Sequence, residues 1–328
     1  KNGASAAISN EKIINDFDKP VINIENTRKA ASIISSRFHD NPSNDLTIIG
    51  ITGTNGKTTT AYLIKECLDY AGFKTAQIGT TGVIAEGYKQ EKTLTTPDAV
   101  TIQKLLKSLV NDGFSHVVME VSSHALHQLR VHNVHFDVAI FTNLTPEHLD
   151  YHKTMENYFK VKSTLFNLLN EKNGKAVINY DDDYGKKLAS KLNCDVALFS
   201  KTDLTKSFFS QINDYKNKID GIIKSNTGSY TIESNLIGSY NLENILAAVT
   251  TLDSLKISEN AITQGIKTCK NVPGRLESFL VKTGAKVIID YAHTPDAYDK
   301  ILSTLKSVLA EKNNLYLVFG AGGDRDSE

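Results

Sequence analysis

The sequence predicts an α/β protein whose centre is a doubly wound, mostly parallel sheet. Three observations carry this. Short apolar runs alternate with amphipathic helical patterns from Leu46 onward, the order that builds βαβ units. The runs His116–Val121 and Val138–Leu144 are rich in Val, Ile, Met and Phe, as strands covered on both faces are. The stretch Ile51–Thr60, ITGTNGKTTT, puts a glycine-rich turn between a strand pattern and a helix pattern, the context a phosphate-binding loop requires.

Taken in order, residues 1–43 form a small leading piece. NGASAAIS and PVINIENT look like strand edges of an α/β domain whose beginning is missing, Thr27–Phe38 like a helix, and Asn41–Asn44 like a turn. Residues 44–273 are expected to form the central domain. Leu46–Gly50 and Lys74–Gly79 are strand patterns, and Ala61, Ile64 and Cys67 mark the buried stripe of the helix after the glycine-rich turn. Thr96 is expected to cap a helix with Pro97 at its first position and Ile102, Leu105, Leu106 and Leu109 as its stripe. Lys175–Asn179 and Asp195–Phe199 continue the strand series. Thr202–Ile237 carries hairpin signals, and Asn241–Leu255 and Ser258–Cys269 are helical. Pro273-Gly274 marks a break. Residues 274–328 then begin a second, Rossmann-like βαβ unit: Phe279–Val281, Lys286–Asp290, a helix from Pro295 to about Ala310, and a strand at Leu315–Phe319. That strand enters a turn with no helix after it, and the chain opens on Lys1, so a fragment at both ends is expected.

A length of 328 residues suits more than one domain, and 40% hydrophobic with 23% charged residues is ordinary for a globular protein. The formal net charge of zero argues against nucleic acid as the main partner. Cys67, Cys194 and Cys269 form no C-x-x-C pair, so neither a disulfide framework nor a zinc site is suggested, and a reducing compartment fits. No apolar run approaches a membrane span, and no signal-peptide pattern opens the chain.

Chemistry concentrates at a few points. In the loop Gly53, Thr54, Asn55, Gly56, Lys57, Thr58 and Thr59, the glycines let backbone N–H groups approach an anion, and the helix start adds partial positive charge. Lys57 would reach the outer phosphates of a nucleotide and the Thr58 hydroxyl a Mg²⁺ ion. The spacing departs from G-x-x-x-x-G-K-[ST], because the first glycine's position is Ile51; the loop is a shortened form. The alternative, a turn merely joining strand to helix, leaves Gly-Lys-Thr at that junction a coincidence.

Glu120 ends a strand pattern, where ligands of open α/β sheets bind, and beside a phosphate loop it reads as a Mg²⁺ ligand. It could instead stabilise a helix N-terminus. Asn143–His152 crowds Glu147, His148, Asp150 and His152 into one loop. His148 is read as a ligand there, although Thr145-Pro146 also resembles an ordinary helix cap. Lys162 falls on the apolar face of the helix pattern Thr154–Leu169, four residues after Tyr158 and three before Leu165. It could snorkel to water. Held dry, it would lose its proton, and the neutral amine can take up CO₂ as a carbamate, a carboxylate-like Mg²⁺ ligand. Asn241 and Asn244 share a helical face suited to an adenine edge, unless Asn241 is only a cap. Arg275 sits at the domain break, within reach of a phosphate. Asp290 ends a strand, placed for ribose hydroxyls or for capping the next helix.

GTNGKTTT, MEVSSHAL, FTNLTPEHLDYH, MENYFKVKSTLF, GSYNLENILAA, VPGRLE, IDYAHTPDA and GAGGDRD occur in this order. As a set they resemble the Mur ligases of peptidoglycan synthesis. TTPDA, VSSHAL with QLR, and DYAHTPDA are similar to the MurE type, which adds the third peptide residue. The resemblance covers essentially the whole chain. It implies a cytoplasmic, monomeric enzyme without nucleic-acid or membrane partners. Such an enzyme uses ATP to activate the terminal carboxylate of UDP-N-acetylmuramoyl-L-Ala-D-Glu as an acyl phosphate, then joins it to a free amino acid, meso-diaminopimelate or L-lysine. Residues 1–43 would be what remains of the UDP-substrate-binding domain, and 274–328 an incomplete C-terminal domain. Lys57 and its loop would hold the ATP phosphates, and Thr58 with Glu120 one Mg²⁺. His148 would hold a second Mg²⁺ with Lys162 as its carbamate. Asn241 and Asn244 match adenine-side contacts, and Arg275 and Asp290 contacts to phosphate and ribose. Thr95, Thr96, Ser122, Gln128 and Arg130 match positions that hold the UDP-muramoyl dipeptide. Ala321 stands where the family commonly has cysteine, with no consequence expected for the chemistry. Two other readings are a related amino-acid ligase, of the cyanophycin or folylpolyglutamate synthase type, and a nucleotide-binding module without ligase activity.

Overall fold

The computed structural model describes residues 3–10, 19–90, 94–215, 218–225, 227–310 and 312–320. The GAGGDRD segment from Ala321 onward lies outside them. Strands β1 (Ala7–Ser9) and β2 (Val21–Asn23) pair in parallel ahead of helix α1 (Thr27–Phe38). The main sheet comprises β3 (Thr47–Thr52), β4 (Thr75–Gly79), β5 (Gly82–Ile84), β6 (His116–Glu120), β7 (Val138–Phe141), β8 (Lys175–Asn179) and β9 (Asp195–Phe199). Among them run α2 (Lys57–Tyr70), α3 (Ala99–Asn111), α4 (Ser123–His127), α5 (Leu149–His152), α6 (Met155–Ser163) and α7 (Asp183–Ala189). Next come the antiparallel strands β10 (Phe208–Asp214), β11 (Ile219–Lys224) and β12 (Ser229–Ser234), then α8 (Ser239–Ser254) and α9 (Glu259–Thr268). The last elements are β13 (Glu277–Leu280), β14 (Lys286–Ile289) and α10 (Pro295–Val308). Among the described residues no helix is long and apolar enough to cross a membrane.

The main sheet has the order β5-β4-β6-β3-β7-β8-β9 and is parallel except for β5. Its strands are apolar on both faces because both are covered. Ile49, Ile51, Val118, Val138 and Ile140 turn to the α2, α8 and α9 side, while Ile48, Val117, Met119, Ala139 and Phe141 turn to the other, the period-two alternation of a strand. β3 is the switch point: the next strand in sequence, β4, lies beyond β6, and β7 lies on the other side. A crevice therefore opens at the carboxyl ends of β3, β6 and β7.

Helix α9 approaches α2 so closely that a Cβ on Gly265 would lie 2.4 Å from Cys67 Cα. Backbone cannot yield as a side chain can, so Gly265→Ala is expected to destabilise the fold by about 1–3 kcal/mol. Urea unfolding of the two proteins measures this, and an unchanged midpoint would show that the helices separate freely.

Four expectations are corrected. α3 is capped by Asp98, whose carboxylate accepts from the Val100 and Thr101 amides, and not by Thr96, whose hydroxyl is committed to the backbone of β6. The pattern Thr154–Leu169 is not one α-helix: α6 ends at Ser163 and a 3₁₀ turn continues through Leu168. Ser163 and Thr164 hydroxyls bond back to the Phe159 and Val161 carbonyls, a competition that bends helices. β13 and β14 pair antiparallel, because five residues are too few for a parallel crossover. Leu315–Phe319 is exposed and forms no strand among the described residues.

Candidate active site

After β3 the chain turns at Gly53 (φ 148°) and Gly56 (φ 87°), and α2 begins at Lys57. A Cβ at Gly53 would sit 1.9 Å from Thr142 Oγ1, and one at Gly56 2.3 Å from Asn244 Oδ1; only glycine fits either position. The end of β7 ties the loop down. Thr54 N–H donates to the Asn143 carbonyl (2.9 Å) and Asn55 N–H to Asn143 Oδ1 (2.8 Å). The Thr142 hydroxyl and the Asn143 amide donate to the Asn55 carbonyl (2.7 and 3.2 Å). The donors left for an anion are the first amides of α2, which helix geometry deprives of intrahelical acceptors.

Two lysines converge on one carbonyl. Lys57 Nζ donates to Gly53 O (2.9 Å) and Thr54 O (2.8 Å), and Lys162 Nζ donates to Gly53 O (2.8 Å). Lys162 is 2% exposed and its nitrogen lies 4.6 Å above the Tyr158 ring. Burial drives its pKa well below the usual ammonium value, the Lys57 charge pushes the same way, and Glu147 opposes. Burial also lowers Lys57, with Glu147 and Glu120 opposing.

Glu120 is fully buried at the end of β6. It accepts from the Thr58 hydroxyl (3.0 Å), the Thr80 amide (3.0 Å) and the Thr80 hydroxyl (3.1 Å). Arg275 Nη2 donates to Thr58 Oγ1 (3.1 Å), and its guanidinium lies 4.9 Å from the Tyr291 ring centre. Thr58 and Glu120 thus offer two hard oxygens beside a helix N-terminus. Mg²⁺ takes one or two protein oxygens and completes its shell with phosphate and water, so this donor set fits it.

Of the crowded loop after β7, Glu147 and His148 line the cleft, His152 bonds Ser123 Oγ (2.9 Å), and Asp150 is exposed. His148 adopts a left-handed conformation (φ 56°), with Nε2 3.7 Å from Glu147 Oε1. Burial lowers its pKa and pushes that of His152 down to about 4. Burial would raise the Glu147 carboxyl, but the His293 bond and the Lys57 charge prevail and bring it to about 2.

The cleft measures about 440 Å³. Across from the loop, Asn244 Nδ2 donates to Asn241 Oδ1 (2.8 Å) and Asn241 Nδ2 to Ile237 O (2.7 Å). Gly238 occupies the N-cap of α8, so Asn241 lies within its first turn. Asp290 accepts from the Leu276 and Ala292 amides (2.8 and 2.7 Å), and α10 is capped by Thr294. The Thr96 hydroxyl donates to Glu120 O (2.8 Å) and accepts from Ser122 N–H (3.0 Å). Arg130 donates to Thr96 O (2.8 Å) and to Gln128 Oε1 (3.1 and 2.7 Å). Thr95 Oγ1 is 3.2 Å from Thr80 Oγ1. These side chains gather beside the end of β6. Sequence reasoning missed Thr80, Asn143, Tyr158 and His293. Thr80, like Glu120, stands at the carboxyl end of a core strand, and that position could have pointed to it.

The chain matches the Mur ligase middle domain over residues 51–252 and the Mur ligase, glutamate ligase domain over residues 274–328. It is 39% identical to the UDP-N-acetylmuramoyl-L-alanyl-D-glutamate–2,6-diaminopimelate ligase of Clostridium perfringens, over 99% of this chain and 67% of that one. The enzyme of the same name from Geobacter metallireducens is 40% identical over 93% and 60%. A solved structure of a UDP-N-acetylmuramoyl-L-alanyl-D-glutamate–2,6-diaminopimelate ligase superposes with a TM-score of 0.79 at 30% identity, over 99% of this chain and 66% of that one. The chain therefore spans roughly two thirds of the length of these relatives. With the strand–loop–helix geometry, the two lysines on the Gly53 carbonyl and these matches in hand, the chain belongs to the Mur ligase family.

Proposed function

We propose that this chain carries the nucleotide-binding and phosphoryl-transfer centre of an ATP-dependent, ADP-forming amide ligase. It would join 2,6-diaminopimelate to UDP-N-acetylmuramoyl-L-Ala-D-Glu in the cytoplasm, acting as a monomer in peptidoglycan precursor synthesis. The observation that carries this reading is the pair of lysines on the Gly53 carbonyl, set beside the Thr58–Glu120 oxygens at the switch point of the sheet. The names of the relatives support the substrates. In domain terms, 44–273 is the catalytic unit, 274–328 begins the closing domain, and 1–43 belongs to the one that binds the uridine substrate.

A carboxylate does not condense with an amine unaided, since its oxygen is a poor leaving group. The substrate carboxylate attacks the γ-phosphorus of ATP, ADP leaves, and an acyl phosphate forms. The amine then adds to the acyl carbon, loses a proton, and inorganic phosphate departs. Lys57 and the α2 amides hold the phosphates and offset charge on the moving group. Asn241 and Asn244 face the adenine, and Arg275 reaches the phosphates from beyond the domain break. Asp290 lies on the ribose side, and Thr95, Thr96, Ser122, Gln128 and Arg130 orient the muramoyl dipeptide. Thr58 with Glu120, and His148 with Lys162 as its carbamate, would hold two Mg²⁺ ions, whose charge neutralises phosphate oxygens. Lys162 is suited to carbamate formation because burial lowers its pKa and so favours the neutral amine.

The test is an amine panel on the full-length protein with ATP and the UDP-muramoyl dipeptide. Phosphate release is expected only with an amine acceptor, fastest with meso-diaminopimelate. Release indifferent to the amine would point to a nucleotide-hydrolysing module; release driven by glutamate would point to a folylpolyglutamate-type ligase.

A further inference from the structure

Glu147 and His293 stand 146 residues apart in sequence and meet across the cleft, with His293 Nε2 3.0 Å from Glu147 Oε1. Glu147 belongs to the loop after β7, and His293 to the turn between β14 and α10. The other ring nitrogen, Nδ1, lies 2.9 Å from the Tyr291 carbonyl, which fixes the ring. Glu147 Oε2 accepts from the Tyr158 hydroxyl (3.3 Å), which lies 3.4 Å from Thr54 Oγ1 in the phosphate loop. That end is firmly held: Tyr158 is fully buried, and Thr54 Oγ1 also bonds the Thr145 amide and carbonyl (3.1 and 3.2 Å). A continuous path thus runs from the phosphate loop through Tyr158 and Glu147 to the turn that starts α10. Arg275 to Thr58 also joins these two parts of the chain.

Glu147 has only 12% of its side chain exposed and acts electrostatically on both Lys57 and Lys162. Unrestrained, a carboxylate in that position would swing onto the Lys57 ammonium and compete with a nucleotide phosphate for it. We propose that Glu147 and His293 form a latch. As positioning residues they register the segment from β13 to α10 on the phosphate loop and keep Glu147 off Lys57. The nucleotide half of this inference rests on the function proposed above; the latch itself does not.

The test uses the full-length protein and two readouts. Hydrogen exchange of the α10 amides without nucleotide reports the latch, and calorimetric ATP affinity reports its effect on the site. His293→Leu and Glu147→Ala are each expected to speed α10 exchange, and His293→Leu, which leaves the carboxylate free, to raise the Kd and KM for ATP about tenfold. The KM for the amine should stay within about twofold, because the latch touches only the nucleotide side. His293→Gln, which keeps a donor, should recover to within about threefold of wild type. The double variant should exchange no faster at α10 than the faster single one, because both break the same bond. Additive effects, or wild-type exchange in both single variants, would overturn the latch. If the wild type fails to bind ATP while the variants still loosen α10, the latch stands and the nucleotide reading falls. Unchanged melting temperatures exclude general unfolding.

Discussion

Replacing Lys162 with alanine is expected to abolish ligation, lowering kcat by about 10³-fold or more, while the protein stays folded. The fold tolerates the loss because Gly53 O keeps its bond from Lys57. Activity does not, because Lys162 is buried with its amine on the Gly53 carbonyl, whereas Lys57, the other lysine on that carbonyl, is only half-buried. Burial and the Lys57 charge lower the pKa of Lys162 and so favour the neutral amine, which is the form that adds to CO₂, and the product carries the negative charge an amine lacks. Formate, acetate or propionate should therefore partly restore the alanine variant by occupying the vacated space with a carboxylate. Lys162→Arg should stay inactive and refuse rescue, since a guanidinium remains charged and fills the site. Saturation kinetics with and without the acids measure this. Full activity of the alanine variant would remove the carbamate from the mechanism.

The second large effect is expected at Lys57. Lys57→Ala should lower kcat by about 10³-fold and weaken ATP binding, with no rescue by carboxylic acids. In the structure Lys57 bridges Gly53 O and Thr54 O at the mouth of the loop. Removing it leaves the Thr54 carbonyl without that donor and strips positive charge from the proposed site of phosphoryl transfer. The contrast with Lys162 is diagnostic. An acid replaces a lost carboxylate but not a lost ammonium, so rescue at one position and its absence at the other separates the two roles. Equal rescue at both would mean that the acids act elsewhere.

The parts of this site that were legible in the sequence are those whose position depends on local periodicity. Lys162 could be placed because its phase on the helix, between Tyr158 and Leu165, survives the change to a 3₁₀ turn just beyond it. Glu120 and the phosphate loop could be placed because strand ends in an open parallel sheet face the crevice. What stayed hidden depends on which strands become neighbours. Thr80 holds Glu120 only because β4 lies next to β6. His293 was quoted within a motif, yet nothing local says that its ring meets Glu147. The α3 cap was misjudged because two candidate caps, Thr96 and Asp98, stand two residues apart. The ionised carboxylate takes two amides there, and the threonine serves the end of β6. The β13–β14 pairing could have been foreseen from its short connection alone.

The central claim is that the substrate carboxylate attacks ATP before the amine attacks the carboxylate carbon. It is tested most directly by isotope transfer. The full-length enzyme is given UDP-muramoyl dipeptide labelled with ¹⁸O in its terminal carboxylate, together with ATP and meso-diaminopimelate, and the released phosphate is analysed by mass spectrometry. One ¹⁸O atom per phosphate is the expected result, because the carboxylate oxygen bridges to phosphorus and leaves with it. Unlabelled phosphate accompanying amide formation would contradict it.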